Sequence, residues 1–150
     1  MIDDFRDLLA EFAGADVRFL IVGAHALGVH GVPRATVDLD VWIDRSPPNV
    51  DRVWQALAAF GAPLDALNIS KSDFTKPDVV IQFGLPPYRI DILTGITGVT
   101  FDEAWPERID DLFNDVPAHY LGRTALMRNK RAAGRHKDLA DLESLGEVHD

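Results

Sequence analysis

Between Ile21 and Ile43 the chain reads IVGAHALGVHGVPRATVDLDVWI, and near the end of this stretch Asp38 and Asp40 stand two residues apart. Successive side chains of an extended strand point to opposite faces, so Asp38 and Asp40 share one face while Leu39 and Val41 turn into a core. Two carboxylates held that close repel unless a cation lies between them. Such a pair suits a divalent metal, or two metals about 3.5–4 Å apart, in an enzyme that displaces pyrophosphate from a nucleotide. An Asp-x-Asp pair also occurs at the wet end of a strand with no chemistry attached, so its surroundings decide.

A third acid, Asp91, lies in YRIDIL at 88–93, another alternating segment. Ile90 and Ile92 face a core, which leaves Asp91 on the opposite face with Arg89 and Leu93. If this strand lies beside the first, three carboxylates converge at one end of a sheet. Otherwise Asp91 pairs with Arg89 or a nearby base on a solvated face. Upstream, Arg18 to Val22 reads as a buried strand, closed by Gly23-Ala24 ahead of a short helical stretch from His25 to His30. A glycine at a strand-to-helix turn lets a phosphate approach the backbone, where the free N–H groups of the new helix meet the anion. No Gly-Lys-Ser/Thr follows, and the glycine spacing is not that of a dinucleotide site.

Gly23-Ala24, the run Arg34-Ala35-Thr36-Val37-Asp38-Leu39-Asp40, then Asp91, then a basic tail with Arg128, Asn129, Lys130, Arg135, His136, Lys137, Asp138 and Asp141 together resemble the minimal nucleotidyltransferases of the DNA polymerase β-like superfamily. The nearest group in that resemblance is the small prokaryotic one related to AbiEii-type toxins and MNT-type antitoxins, and it covers about Arg18 to Leu145. It implies Mg²⁺ (or Mn²⁺) on Asp38, Asp40 and Asp91, with Asp91 also helping to activate the acceptor hydroxyl. It implies nucleotide contacts from Gly23, Ala24, Arg34, Thr36, Lys130, Arg135 and Lys137. The family usually carries Gly-Gly or Gly-Ser at the turn. Ala24 removes a serine contact to the triphosphate but keeps the backbone N–H.

With 150 residues, 47% of them hydrophobic, the chain can form one domain over 1–150 that buries about 68–70% of its unfolded surface. No apolar run approaches the roughly 18 residues of a membrane span, and the acidic start Met1-Ile2-Asp3-Asp4 does not read as a signal, which fits a cytoplasmic setting. There is no cysteine, which excludes thiol nucleophiles, disulfides and Cys-based zinc sites. Net charge is −9, yet Leu121 to Lys137 holds six Lys and Arg and no acid. An acidic chain with one basic strip is poorly suited to wrapping nucleic acid and well suited to gripping a triphosphate or an RNA end.

The elements that must position these residues follow from period and punctuation. Phe5, Leu8, Leu9 and Phe12 line one face of a helix over 2–13 that Gly14 stops. Ser46-Pro47-Pro48 opens a second helix, with Val50, Val53, Trp54, Leu57 and Phe60 inward and Gly61 at its end. Residues 62–76 read as irregular. Val79 to Phe83 forms a strand that Leu85-Pro86-Pro87 can join to 88–93 as a hairpin. The acidic stretch Phe101 to Asp115 covers one edge, anchored by Phe101, Trp105 and Leu112. Arg123 to Ala133 is helical with Thr124 as a possible N-cap, and Gly134 breaks it before a last helix through Leu145. His25 and His30 read as packing or surface groups, though His25 lies near enough to the phosphate turn for a nucleotide contact.

The reading is an α/β (α+β) nucleotidyltransferase fold: a small, mixed, twisted sheet flanked by helices, mainly on one side, with a C-terminal helical tail. The expected reaction moves an NMP from an NTP, such as ATP, to a hydroxyl. The acceptor is a tRNA end or a cognate toxin or antitoxin protein. A small antibiotic-type acceptor and a binding module without catalysis are the other two readings.

Overall fold

The computed structural model describes residues 3–84 and 87–148. The elements run α1 (Asp3–Gly14), β1 (Phe19–Val22), α2 (Gly23–Val29), β2 (Asp38–Ile43), α3 (Pro47–Phe60), β3 (Val80–Phe83), β4 (Arg89–Leu93), α4 (Phe101–Ala104), β5 (Ile109–Phe113), β6 (Val116–Tyr120), α5 (Arg123–Ala133) and α6 (His136–Val148), with 3₁₀ turns at Lys71–Thr75 and Trp105–Glu107. One six-stranded sheet has the order β3-β4-β2-β1-β6-β5. β2 runs parallel to β4 and β1 parallel to β6, and the other neighbours are antiparallel.

Local chemistry accounts for most of these boundaries. The apolar stripe of α1 puts Phe5, Leu8, Leu9 and Phe12 in the core. Pro47 and Pro48 occupy the first turn of α3, where a missing N–H costs nothing. Gly61 ends it at φ +91°, its N–H donating to the carbonyls of Leu57 and Ala58. That left-handed conformation is open to glycine and strained for most other residues. Asn49, buried in the first turn of α3, ties the helix to the sheet: its Oδ1 accepts from the Arg18 N–H at 2.7 Å, and its Nδ2 donates to the carbonyls of Arg18 at 3.1 Å and Asp44 at 2.6 Å. Nothing in the sequence pattern singles it out.

Helices cover both faces of the sheet, not mainly one. Leu39, Val41, Ile43, Ile90 and Ile92 pack with α1 and α3 on one side. Leu20, Val22 and Trp42 pack with α2, α5 and Leu145 of α6 on the other. All four residues of β1 are buried, so both of its faces need a partner.

The stretch from Phe101 to Asp115 is not an edge cover. After α4, which Thr100 and Glu103 open as a reciprocal capping box, the chain forms a hairpin that extends the sheet, with Phe113 opposite Val116 and Asn114 at φ +57° in the turn. β5 reads IDDLF and is exposed along almost its whole length, so it lacks the alternation that marks a half-buried strand. Phe101 and Trp105 do anchor this region: Phe101 lies edge-on to Trp42 at 5.1 Å and stacks on Trp105 at 5.6 Å. Leu112 does not, being 57% exposed. The N-cap of α5 is Gly122, not Thr124. β3 and β4 do pair as expected, while Leu85 and Pro86 of their connection lie outside the described residues.

Because Leu57 is fully buried and Leu112 is not, Leu57→Ala should cost about 2–5 kcal/mol and Leu112→Ser less than about 0.5 kcal/mol. Urea unfolding of the two variants measures this, and equal losses would mean that β5 packs against something at Leu112.

Candidate active site

The parallel pairing of β2 with β4 sets Asp40 directly opposite Asp91, and Asp38 opposite Arg89. All three carboxylates therefore stand on one face, while Leu39, Ile90, Val41 and Ile92 are buried beneath. The carboxyls of Asp40 and Asp91 are close enough to share a proton. Burial, then the hydrogen bond and charge of Asp91, then the charge of Asp38 push Asp40 up to about 7, with Lys130 pulling the other way. Arg89 makes no ion pair with Asp91 among the described residues. Instead, Asp91 Oδ1 accepts from Gln82 Nε2 at 2.8 Å.

The three acids do not close into one ligand set. Among the described residues no group of three or more His, Cys, Asp or Glu is arranged to hold a metal ion. Asp40 and Asp91 meet; Asp38, half exposed at the start of β2, acts on Asp40 through its charge. Two like charges already press together there, and a third carboxylate gains nothing by joining them. The pair itself fits a hard divalent cation: it offers carboxylate oxygens at a place where burial makes an uncompensated charge costly.

Gly23 is fixed by two demands. It opens α2 at φ +69°, and a Cβ there would collide with Asp40 Oδ2. The glycine thus makes the turn and also leaves room for the carboxylate of Asp40, not only for a phosphate. A cleft of about 470 Å³ opens here, lined by Gly23, Ala24, Asp40, Asp91, Arg34, Lys130, Arg135 and Lys137. Of the predicted nucleotide contacts only Thr36 stays outside its lining. Its hydroxyl is spent locally, accepting from the Asp38 N–H at 3.0 Å.

Most of the cations at this cleft are already paired. Asp138 and Asp141 of α6 are buried to about 1% exposure. Lys130 lies 3.0 Å from Asp141 and 3.6 Å from Asp138. Arg34 donates to Asp141, and Arg135 Nε to Asp138 at 2.7 Å. The hydrogen bonds and charge of Arg135, with a smaller pull from Lys130, hold the Asp138 carboxyl below the ordinary range. Lys137 alone among the predicted cations has no ion pair among the described residues. The break at Gly134, left-handed at φ +66°, turns α6 back on α5 so that both acids face Lys130.

His25 and His30 take structural places. His25 packs edge-on against Phe5 and Phe113 at ring distances of 6.1 and 5.2 Å, and burial lowers its pKa. His30 Nε2 is 2.8 Å from the Leu121 carbonyl. A second cleft, about 570 Å³, lies between α1, the end of α3 and Phe83, and none of the predicted site residues lines it.

No family model matches this chain, and no curated protein matches it in sequence. Among solved structures it is similar to a Thermotoga maritima protein provisionally named a nucleotidyltransferase, with a TM-score of 0.55 and 12% identity over 95% of this chain and 88% of that one. The likeness is one of fold: a mixed six-stranded sheet flanked by helices, in the nucleotidyltransferase-like arrangement.

Asp40 supplies a pH test. Its folded pKa, about 7, lies above the ordinary value near 4, so the native state keeps a proton that the unfolded chain has released. Stability contributed by that proton is complete below about 4 and is lost as pH rises through about 7. In EDTA the melting temperature should fall across this window. Asp40→Asn should flatten the fall and melt higher than wild type at pH 8; parallel profiles for the two proteins would remove this account of the pair.

Proposed function

We propose that this chain transfers a nucleotidyl group from an NTP to a hydroxyl acceptor. The acceptor oxygen attacks the α-phosphorus, the bond to the bridging oxygen breaks, and pyrophosphate leaves. The observation that carries this reading is the side-by-side pair Asp40 and Asp91, held beside the Gly23 turn in a cleft walled by cations. The nucleotidyltransferase-like fold adds support.

In this reading Asp40 and Asp91, with Asp38 alongside, hold Mg²⁺ or Mn²⁺. When bound, the ion would lower the pKa of the acceptor hydroxyl and stabilise charge on the α-phosphate. Asp91 takes the acceptor's proton. The backbone at Gly23-Ala24 meets the triphosphate, and Lys137, the predicted nucleotide-binding cation with no ion pair among the described residues, neutralises the departing pyrophosphate. Lys130, Arg34 and Arg135 shape the cleft wall, their charges being largely met by Asp138 and Asp141. The basic strip of the sequence is thus mostly spent within the protein, which favours a compact acceptor over extended RNA. A cognate partner protein, as in a toxin-antitoxin pair, suits this best, with a tRNA end as the other acceptor. Among the described residues no helix is long and apolar enough to cross a membrane, and a cytoplasmic setting with NTP at hand goes with this reading.

Two measurements test it. Wild type and Asp40→Asn are incubated with the four labelled NTPs, Mg²⁺, a tRNA pool and the product of the neighbouring gene, then resolved on gels. Transfer by wild type should disappear in Asp40→Asn, since a nearly isosteric amide keeps the shape and loses the charge. Undiminished transfer in the variant removes the mechanism, and no transfer by wild type favours a binding module. The cations should separate as well. Lys137→Ala should weaken NTP affinity in calorimetry and leave stability within about 0.5 kcal/mol, whereas Lys130→Ala takes one partner from each of two buried carboxylates that Arg34 and Arg135 still meet, and should cost about 1.5–3 kcal/mol of stability. The reverse pattern would exchange their roles.

A further inference from the structure

Across the cleft face, four strands bring their residues into one row. Gln82 of β3 lies opposite Asp91 of β4 in the antiparallel register, Asp91 lies opposite Asp40 of β2, and Asp40 lies opposite Val22 of β1, next to Gly23. Gln82 Nε2 donates to Asp91 Oδ1 at 2.8 Å. Alternation along β3 buries Ile81 and Phe83 and leaves Gln82 on the side of the carboxylates. The row reads amide, carboxylate, carboxylate, valine, with Gly23 beside its end.

We infer that Gln82 is a positioning residue that fixes the Asp91 carboxylate for a divalent cation. The inference rests on the reading that Asp40 and Asp91 hold such an ion. The terminal torsion of an aspartate is broad, and the neighbouring charge of Asp40 pushes the group away. An amide N–H on Oδ1 sets the plane of the carboxylate and leaves its other oxygen outside that hydrogen bond. A neutral donor suits this role, because it orients the anion without cancelling the charge that attracts the metal, as a lysine would. Partners that hydrogen-bond a ligating group typically contribute about 10- to 100-fold to metal affinity. A hydrogen bond that merely stitched the edge strand would stabilise β3 and leave the metal unaffected.

Gln82→Met keeps the length of the side chain and removes the donor; Gln82→Ala removes both. Mn²⁺ binding is followed by electron paramagnetic resonance on wild type and both variants, with urea unfolding in EDTA as the control and kcat and KM for the NTP as a second readout. Both variants should bind Mn²⁺ at least about tenfold more weakly than wild type, at an unchanged urea midpoint. With the metal saturating, kcat should fall while KM for the NTP holds. Equal Mn²⁺ affinity in wild type and Gln82→Met overturns the role of Gln82 and leaves the metal pair standing, as does a lower urea midpoint with affinity unchanged. Absence of Mn²⁺ binding by wild type at pH 8 instead overturns the metal reading, and this inference with it.

Discussion

Two carboxylates are held side by side by backbone hydrogen bonds that neither can escape. The β2–β4 ladder sets Asp40 against Asp91, and directly opposed strand residues have their Cβ atoms about 5 Å apart. Like charges at that distance repel by about 3 kcal/mol at the effective dielectric of a protein surface. Nearby features answer to this repulsion. Gly23 has no side chain because the Asp40 carboxylate occupies the space, Gln82 donates to Asp91, Lys130 draws Asp40 back towards its charged form, and Asp40 otherwise holds its proton up to about pH 7. A pair so costly to keep charged fits a divalent cation, which is the basis of the proposed function.

The C-terminal helices answer a second electrostatic problem. Lys130, Arg34 and Arg135 crowd one wall of the cleft, and Asp138 and Asp141 come from α6 to meet them. Buried ion pairs of this kind add little net stability, but breaking one is expensive because the remaining charge has no water. Arg34 precedes β2 and Asp141 sits in the last helix, so their contact ties the tail to the approach of β2. The wall sets three cations against two acids, and Lys137 stands beside them with no ion pair among the described residues.

The sheet divides labour between its faces. α1 and α3 cover one side with a continuous apolar core, which keeps the strands of the site rigid from beneath. On the other side the apolar cover reaches Leu20, Val22 and Trp42 and gives way to polar side chains at Asp40, Asp91 and Gln82. The cleft lies at that boundary, where carboxylates can be half-buried without being sealed from solvent.

Alternation in DLDVWI and RIDIL assigned Asp38, Asp40 and Asp91 to one face and their neighbours to a core, and the buried and half-buried positions of β2 and β4 agree. Gly23, Gly61 and Gly134 marked their turns because backbone sterics act on each residue alone. Which strands would lie together was another matter. β5 was missed because acids fill a strand exposed on both sides, and helices cover both faces because β1, in the middle of the sheet, is apolar throughout. Asn49, Gln82 and the pairing of Arg34 with Asp141 carry no local signature: those two ions are 107 residues apart in the chain. Periodicity tells a residue which way to face. Only the assembled register decides what it meets there, because hydrogen bonds and ion pairs depend on distances of a few ångströms between parts of the chain that the sequence keeps far apart.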